Sequence, residues 1–298
     1  MKREEMQFLS DWKQSSKRKP LIIRGARQVG KTWLMKEFGR RHYEKCAYVN
    51  FESNSVLKSL FDDNYDIDRI ITSIRIDTGI QIDRDNTLII LDEIQETKGG
   101  LTALKYFYEN APEYHIIAAG SLLGVALSAQ TSFPVGKVDF LDLYPFSYPE
   151  FLEATGQAPL VELLSRKDWE LVHTFKTKYI QALREYYFVG GMPEAVLSFS
   201  QKKDFNEVRT IQKSILSAYE NDFSKHIPRE TVPRTRMLWN SIPSQLAREN
   251  RKFIYGQLRE GARAKDYELA LQWLLDCGLI HKVNRATKPG IPLKVYEE

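Results

Sequence analysis

The stretch Leu21-Ile22-Ile23-Arg24-Gly25-Ala26-Arg27-Gln28-Val29-Gly30-Lys31-Thr32-Trp33 decides the fold. Its first four residues read as a short buried strand, and Thr32 to Arg40 carries helix-like spacing. Between them, Gly25 to Thr32 matches GxxxxGK[ST], a string whose chemistry requires a strand before it and a helix after it. Gly25 and Gly30 permit backbone conformations that turn successive N–H groups toward phosphate oxygens, and the helix start adds the positive end of its dipole. Lys31 then reaches the β- and γ-phosphates as a point charge, and the Thr32 hydroxyl is a ligand for Mg²⁺. The expected nucleotide contacts are Gly25, Ala26, Arg27, Gln28, Val29, Gly30, Lys31, Thr32 and the adjoining Trp33.

Working outward, Ala47 to Phe51, Thr87 to Leu91, His115 to Ala119 and Val138 to Leu143 are further short apolar runs, too short for helices. Helix-like segments lie between them, as in Leu101 to Ala111, where Leu101, Leu104, Tyr108 and Ala111 recur at helical spacing. Strands alternating with helices imply a parallel α/β sheet. Leu88-Ile89-Ile90-Leu91-Asp92-Glu93 is an apolar strand tipped by two acids, the pattern called Walker B. Asp92 is expected to hold Mg²⁺ through water, and Glu93 to orient or deprotonate the water that attacks the γ-phosphate. Ser121 follows the next strand; it either hydrogen-bonds the γ-phosphate or lytic water, or simply starts a helix. The chain contains no [NT]KxD string for reading guanine, so ATP is expected rather than GTP.

The 298 residues suffice for two or three small domains, and 43% hydrophobic with 28% charged residues is the mixture of a globular chain, not a disordered one. Apolar runs such as Leu88 to Leu91 fall far below the ~20 residues that cross a bilayer. Met1 to Glu5 is followed by no continuous apolar segment or small-residue cleavage site. Cys46 and Cys277 form no CxxC pair, and the five histidines form no ligand spacing with cysteines or acids. A cytosolic setting without membrane association, with Mg²⁺ as the one metal, is the expectation. Three segments are expected: an ATPase core over 1–150, a helical lid over 151–228 and a winged-helix domain over 229–298. The first boundary falls in the Pro-containing stretch Tyr144 to Glu150, the second near Ile227 to Pro233, where two prolines break the pattern. In the last segment Trp239 to Ala247, Phe253 to Leu258 and Ala264 to Cys277 read as helices. Leu279 to Arg285 and Leu293 to Tyr296 read as a hairpin.

The combined strings resemble a group of prokaryotic AAA-superfamily ATPases that carry a C-terminal domain related to restriction-endonuclease folds. Gly25 to Thr32, Asp92-Glu93-Ile94-Gln95, Ala119-Gly120-Ser121-Leu122 and Leu143-Tyr144-Pro145-Phe146 carry the resemblance, together with Gly190-Gly191-Met192-Pro193-Glu194 and Gly261 to Tyr267. The resemblance implies an AAA/ASCE-type P-loop sheet with a helical lid and a C-terminal winged helix-turn-helix. It also implies that Pro193 is either a lid proline against the adenine side of the nucleotide or a rigid helix start. Members of the group continue past the segment equivalent to Pro292 to Glu298 into the nuclease-like domain, so this chain is read as a shortened product lacking it. For an arginine finger, Lys137 and Arg27 are the nearest basic residues, each also readable as a solvated surface cation.

Net charge is +4, and residues 231–298 hold 12 Lys and Arg against 7 Asp and Glu. Arg259, Arg263, Lys265, Arg285 and Lys288 surround the expected helix Ala264 to Cys277 and its wing. This segment either enters a DNA groove or serves as an internal lid or protein contact, with Asp266 and Glu268 opposing phosphate. Lys17-Arg18-Lys19 reads as a solvated connection or a minor nucleic-acid contact. Three functions follow: ATP hydrolysis that reorients the lid and winged-helix domains; a nucleotide-gated DNA- or protein-binding switch with slow or no turnover; or a DNA-binding regulator with a vestigial nucleotide site. Shared sites in a homo-oligomer are compatible with the first.

Overall fold

Leu21, Ile22 and Ile23 are wholly buried because strand β1 (Leu21–Arg24) runs through the interior of a sheet. It pairs with β4 (His115–Ala119) on one side and β5 (Asp139–Asp142) on the other. The computed structural model describes residues 1–61, 65–121, 136–249, 252–286 and 290–292. Its five described strands, with β2 (Lys45–Asn50) and β3 (Thr87–Asp92), stand in the order β2-β3-β4-β1-β5, and every pairing is parallel. Strands covered on both faces need apolar residues at every position, and β3 and β4 are buried throughout. Each buried Leu or Ile there contributes roughly 1.5–3 kcal/mol of transfer free energy.

One face packs Ile22, Val49, Ile89, Leu91, Ile116 and Ala118 against helices α3 (Ile67–Thr78) and α4 (Gly100–Asn110). The other face carries α2 (Lys31–His42), whose Gly39 lets the helix lie against Cys46 and Leu88, and α1 (Glu5–Gln14), whose Trp12 meets Phe38 and His115. Helix α1 was not anticipated by the sequence reading. Its side of the chain is tied down by a buried ion pair, Arg3 Nε to Glu150 Oε1 at 3.1 Å, while Arg3 Nη2 donates to the Tyr144 carbonyl at 2.7 Å.

After β5 the chain is helical, as the loss of strand pattern past Glu150 implies: α5 (Tyr148–Ala154), α6 (Ala158–Arg166), α7 (Trp169–Thr174), α8 (Lys176–Val189), α9 (Pro193–Lys202) and α10 (Phe205–His226). The stretch read as a boundary is a helix start. Ser147 Oγ accepts from Glu150 N and Glu150 Oε2 accepts from Ser147 N, with Pro149 in the first turn. Phe151, Val189, Val196 and Phe199 form the local core.

The chain divides into two units, Met1–Asn221 and Asp222–Glu298. In the second, α11 (Val232–Leu246) begins seven residues before the expected Trp239. Pro233 stands in its first turn, where no N–H is required, so this proline opens a helix instead of ending a pattern. Phe253 to Leu258 is a single 3-10 turn, Tyr255–Gln257. Helix α12 (Ala264–Asp276) buries Tyr267, Ala270, Trp273 and Leu274, and the Asp266 carboxylate accepts from Arg263 N at 3.2 Å. Asp266 therefore serves the helix start. Among the described residues Leu279 to Arg285, expected as the first strand of the hairpin, forms no strand, with Val283 91% exposed, and Ala286 makes a single β-bridge. Its intended partner, 293–296, lies outside the described residues. No described helix is long and apolar enough to cross a membrane.

Gly191 is the tightest backbone crossing in the helical half. A Cβ there would lie 2.4 Å from the Phe146 carbonyl oxygen and 2.8 Å from its nitrogen, and the Phe146 N–H donates to the Gly191 carbonyl at 2.7 Å. Gly79, by contrast, has a left-handed backbone, at φ 68°, but nothing within 4 Å of such a Cβ. Gly79→Ala is therefore expected to cost about 1–2 kcal/mol from φ alone. Gly191→Ala should cost more, about 3 kcal/mol, since backbone on backbone cannot yield. Urea denaturation of the two variants checks the order, and equal losses would refute it.

Candidate functional site

The parallel register brings the ends of β1, β3 and β4 level. Ile23 pairs with Ala119, and Ala119 with Asp92. In open α/β sheets, ligands sit at this carboxyl edge. In the sheet β4 lies between β1 and β3, while β2, which comes between them in sequence, goes to the edge. That arrangement sets Ser121 beside Glu93.

The loop from Gly25 to Gly30 contains three positive φ values: 145° at Gly25, 66° at Gln28 and 96° at Gly30, which is the N-cap of α2. Gly25 is required for a second reason, because a Cβ would lie 2.2 Å from the Leu143 carbonyl oxygen. Ala26 and Val29 are buried under the loop, Gln28 is exposed, and Trp33 is 44% exposed on the first turn of α2. Lys31 is buried, and its Nζ donates to the carbonyls of Gly25 and Ala26, each at 2.9 Å. Burial pushes its ammonium down to about 8; Glu93 and Asp92 oppose that shift and Arg27 adds to it. Any anion that drew the Lys31 ammonium away would have to compete with these two carbonyls.

Across the sheet, Thr32 Oγ1 donates to Asp92 Oδ2 at 2.7 Å, and the Tyr48 hydroxyl donates to the same oxygen at 3.0 Å. Asp92 Oδ1 accepts from Glu93 N at 3.1 Å. Burial raises the Asp92 carboxyl, and the hydrogen bonds from Thr32 and Tyr48 pull it back. Burial likewise pushes the Tyr48 hydroxyl up to about 12. Among the described residues no three His, Cys, Asp or Glu converge on one point. A hydroxyl and a carboxylate at this spacing are hard oxygen donors that fit Mg²⁺, which takes one or two carboxylates and completes its shell with phosphates and water.

Glu93 has a left-handed backbone, φ 52° and ψ 46°. Its Oε2 accepts from Ser121 N at 3.0 Å, Ser121 Oγ at 3.1 Å and Gln95 Nε2 at 2.6 Å. Pro193 opens α9 with its Cγ 3.6 Å from where a Gly30 Cβ would be, so the helix start is also a neighbour of the loop. From α10, the Tyr219 hydroxyl donates to the Arg27 carbonyl at 2.6 Å. Lys137 instead pairs with Glu109 at 3.1 Å. Thr32, Asp92, Glu93 and Ser121 are thus joined in one hydrogen-bond network, Lys31 feels the charges of Asp92 and Glu93 while bonding the loop carbonyls, and Pro193 lies against the loop. Tyr48, Gln95 and Tyr219 were missed by sequence reasoning. Gln95 lay within a quoted string, whereas Tyr48 and Tyr219 depend on register and helix packing that no local signal carries.

Residues 17–152 match a family described as an AAA domain, and residues 180–297 match one described as a domain of unknown function (DUF8612). Among solved structures, a Walker-type ATPase of Pyrococcus abyssi superimposes with a TM-score of 0.60 at 14% identity, covering 94% of this chain and 90% of that one. The ORC1 protein of Aeropyrum pernix in complex with DNA gives 0.37 at 14% identity, covering 94% and 78%, a likeness too loose to carry an argument. No curated protein matches this chain. Neither family match describes a restriction-endonuclease-like domain, and neither describes a winged helix. Residues 17–152 are thus similar to an AAA domain, and the chain shares the P-loop α/β fold.

Proposed function

We propose that the chain binds ATP with Mg²⁺ and hydrolyses it. The observation that carries this reading is the 2.7 Å contact between Thr32 and Asp92, with Glu93 as the next residue. Residues Gly25 to Thr32 hold the phosphates through backbone N–H groups, and Lys31 turns from the loop carbonyls to the β- and γ-phosphates. Thr32 and Asp92 would hold Mg²⁺, which when bound would neutralise phosphate charge. Water attacks the γ-phosphorus, the bond to the bridging oxygen breaks, and Glu93 takes the proton from the water. Ser121, which holds Glu93 by two hydrogen bonds, is placed to register loss of the γ-phosphate. Trp33 and Pro193 border the base side.

Beyond hydrolysis, we assign residues 1–150 as the core, 151–228 as the lid and 229–298 as a winged-helix domain whose orientation follows nucleotide state. Pro193 and Tyr219 support the lid assignment, since both touch the phosphate loop. The same contacts favour a second reading, in which occupancy itself gates a DNA or protein partner and turnover is slow. Arg259, Arg263 and Lys265 are exposed and suit either partner. A cytosolic setting and a homo-oligomer with shared sites belong to the same proposal.

Lys31→Ala is expected to abolish ATP binding. Under the hydrolytic reading, Glu93→Gln retains ATP but lowers phosphate release by at least about 10²-fold, the scale of a lost general base. Phosphate release from Glu93→Gln at the wild-type rate would refute it. Partner binding that still responds to ATP in that variant would favour the gated switch.

The Lys31 shift adds a pH dependence. Burial has lowered this pKa, so the charged form is lost as pH rises through about 8 rather than near 10.5. Affinity for ATP should be flat below that value and then fall by up to about tenfold per pH unit above it, because the triphosphate requires the proton. Lys31→Arg, which stays charged, should abolish the fall. Equilibrium binding across this range reads both.

A further inference from the structure

We propose that Tyr48 is a positioning residue for the cation-binding carboxylate, an inference that rests on the reading of Thr32 and Asp92 as the cation site. Tyr48 lies on β2, two residues before Asn50, which pairs with Asp92 across the sheet. Alternation turns Ala47 and Val49 into the core beneath α3, which leaves Tyr48 on the face that carries α2. There the Lys36 ammonium sits 3.6 Å from the Tyr48 ring centroid, and Asn50 Nδ2 donates to the Tyr48 oxygen at 3.3 Å. The ring is held from above and the hydroxyl from the side. With its oxygen accepting from Asn50, the Tyr48 hydrogen is directed to Asp92 Oδ2 at 3.0 Å.

That oxygen also accepts from Thr32 at 2.7 Å, while Oδ1 accepts from the Glu93 N–H. Three donors from three elements therefore fix the plane of the carboxylate. Thr32 is itself a cation ligand in this reading, and the Glu93 N–H belongs to the neighbouring backbone. Tyr48 is the side-chain donor that holds Asp92 without binding the cation. Partners behind a metal ligand commonly set metal affinity by about 10–100-fold when removed. The hydroxyl bonds Asp92 and not the backbone N–H groups of the phosphate loop, so the effect belongs to the cation rather than to nucleotide binding in general.

The test uses the full chain saturated with a non-hydrolysable ATP analogue and titrated with Mn²⁺, whose paramagnetic resonance signal reports bound and free ion. Tyr48→Phe should weaken Mn²⁺ binding by about tenfold or more. Nucleotide binding in excess chelator should stay within about twofold of wild type, which a purely structural role would not allow. Unchanged Mn²⁺ affinity would overturn the inference, and so would a parallel loss of metal-free nucleotide binding. Lys36→Met, a change at an exposed position that releases only the ring, should weaken Mn²⁺ binding in the same direction. It decides the matter should Tyr48→Phe fail to fold, with no change again overturning the inference. If wild type binds no Mn²⁺ with nucleotide and Asp92→Asn is indistinguishable from it, the hydrolytic reading fails and this inference with it. A failure confined to Tyr48→Phe leaves that reading intact.

Discussion

Thr32 and Asp92 are 60 residues apart in sequence, and a single hydrogen bond joins them. That contact is possible only because β1, β4 and β3 are parallel and end level, which aims the loop after β1 and the acids after β3 at one spot. An antiparallel pairing would send one of them to the opposite edge. Covering both faces of the sheet follows from the same requirement. Parallel strands need crossover helices, and those helices bury β3 and β4 on each side.

The helical half is drawn into the same constraint by three close approaches. Gly25 lies on the Leu143 carbonyl, Gly191 on the Phe146 backbone, and Pro193 beside Gly30. Leu143 to Phe146 thus runs between the phosphate loop on one side and the Gly190-Gly191 turn on the other. The Arg3 side chain presses on this segment, its guanidinium carbon 4.5 Å from the Phe146 ring centroid and its Nη2 on the Tyr144 carbonyl. Strings that look unrelated in sequence are neighbours because each supplies the small residue or free carbonyl that another needs.

Much of this was legible from local chemistry. A strand followed by GxxxxGK[ST] and then a helix leaves few backbone solutions, and an apolar strand tipped by Asp92-Glu93 leaves few partners for it. Register was not legible. Nothing in Lys45 to Asn50 says that Tyr48 meets Asp92, because strand neighbours are set by the whole sheet and β2 could equally have lain between β1 and β3. Tyr219 was hidden for a similar reason, since a helical tyrosine on an apolar face looks like any core residue until its hydroxyl finds the Arg27 carbonyl. At the C-terminal end, the pattern Leu279 to Arg285 alternates enough to suggest a strand. Alternation alone does not say which segment pairs with it, and among the described residues Val283 is 91% exposed.

Glu93 shows where local preference gives way. A left-handed backbone at a residue that is neither Gly nor Asn costs about 1–2 kcal/mol, and such a conformation persists only where surrounding contacts over-determine it. Here its N–H is taken by Asp92 Oδ1, and its Oε2 accepts from the backbone and hydroxyl of Ser121 and from the Gln95 amide. The turn thereby points the carboxylate across to β4. A relaxed helical or extended φ at position 93 would swing the side chain away from Ser121 and leave those donors to find other partners. The strain is thus coupled to the one feature that distinguishes this acid from its neighbour: Asp92 faces Thr32, Glu93 faces Ser121, and two consecutive carboxylates are given separate tasks by one left-handed residue.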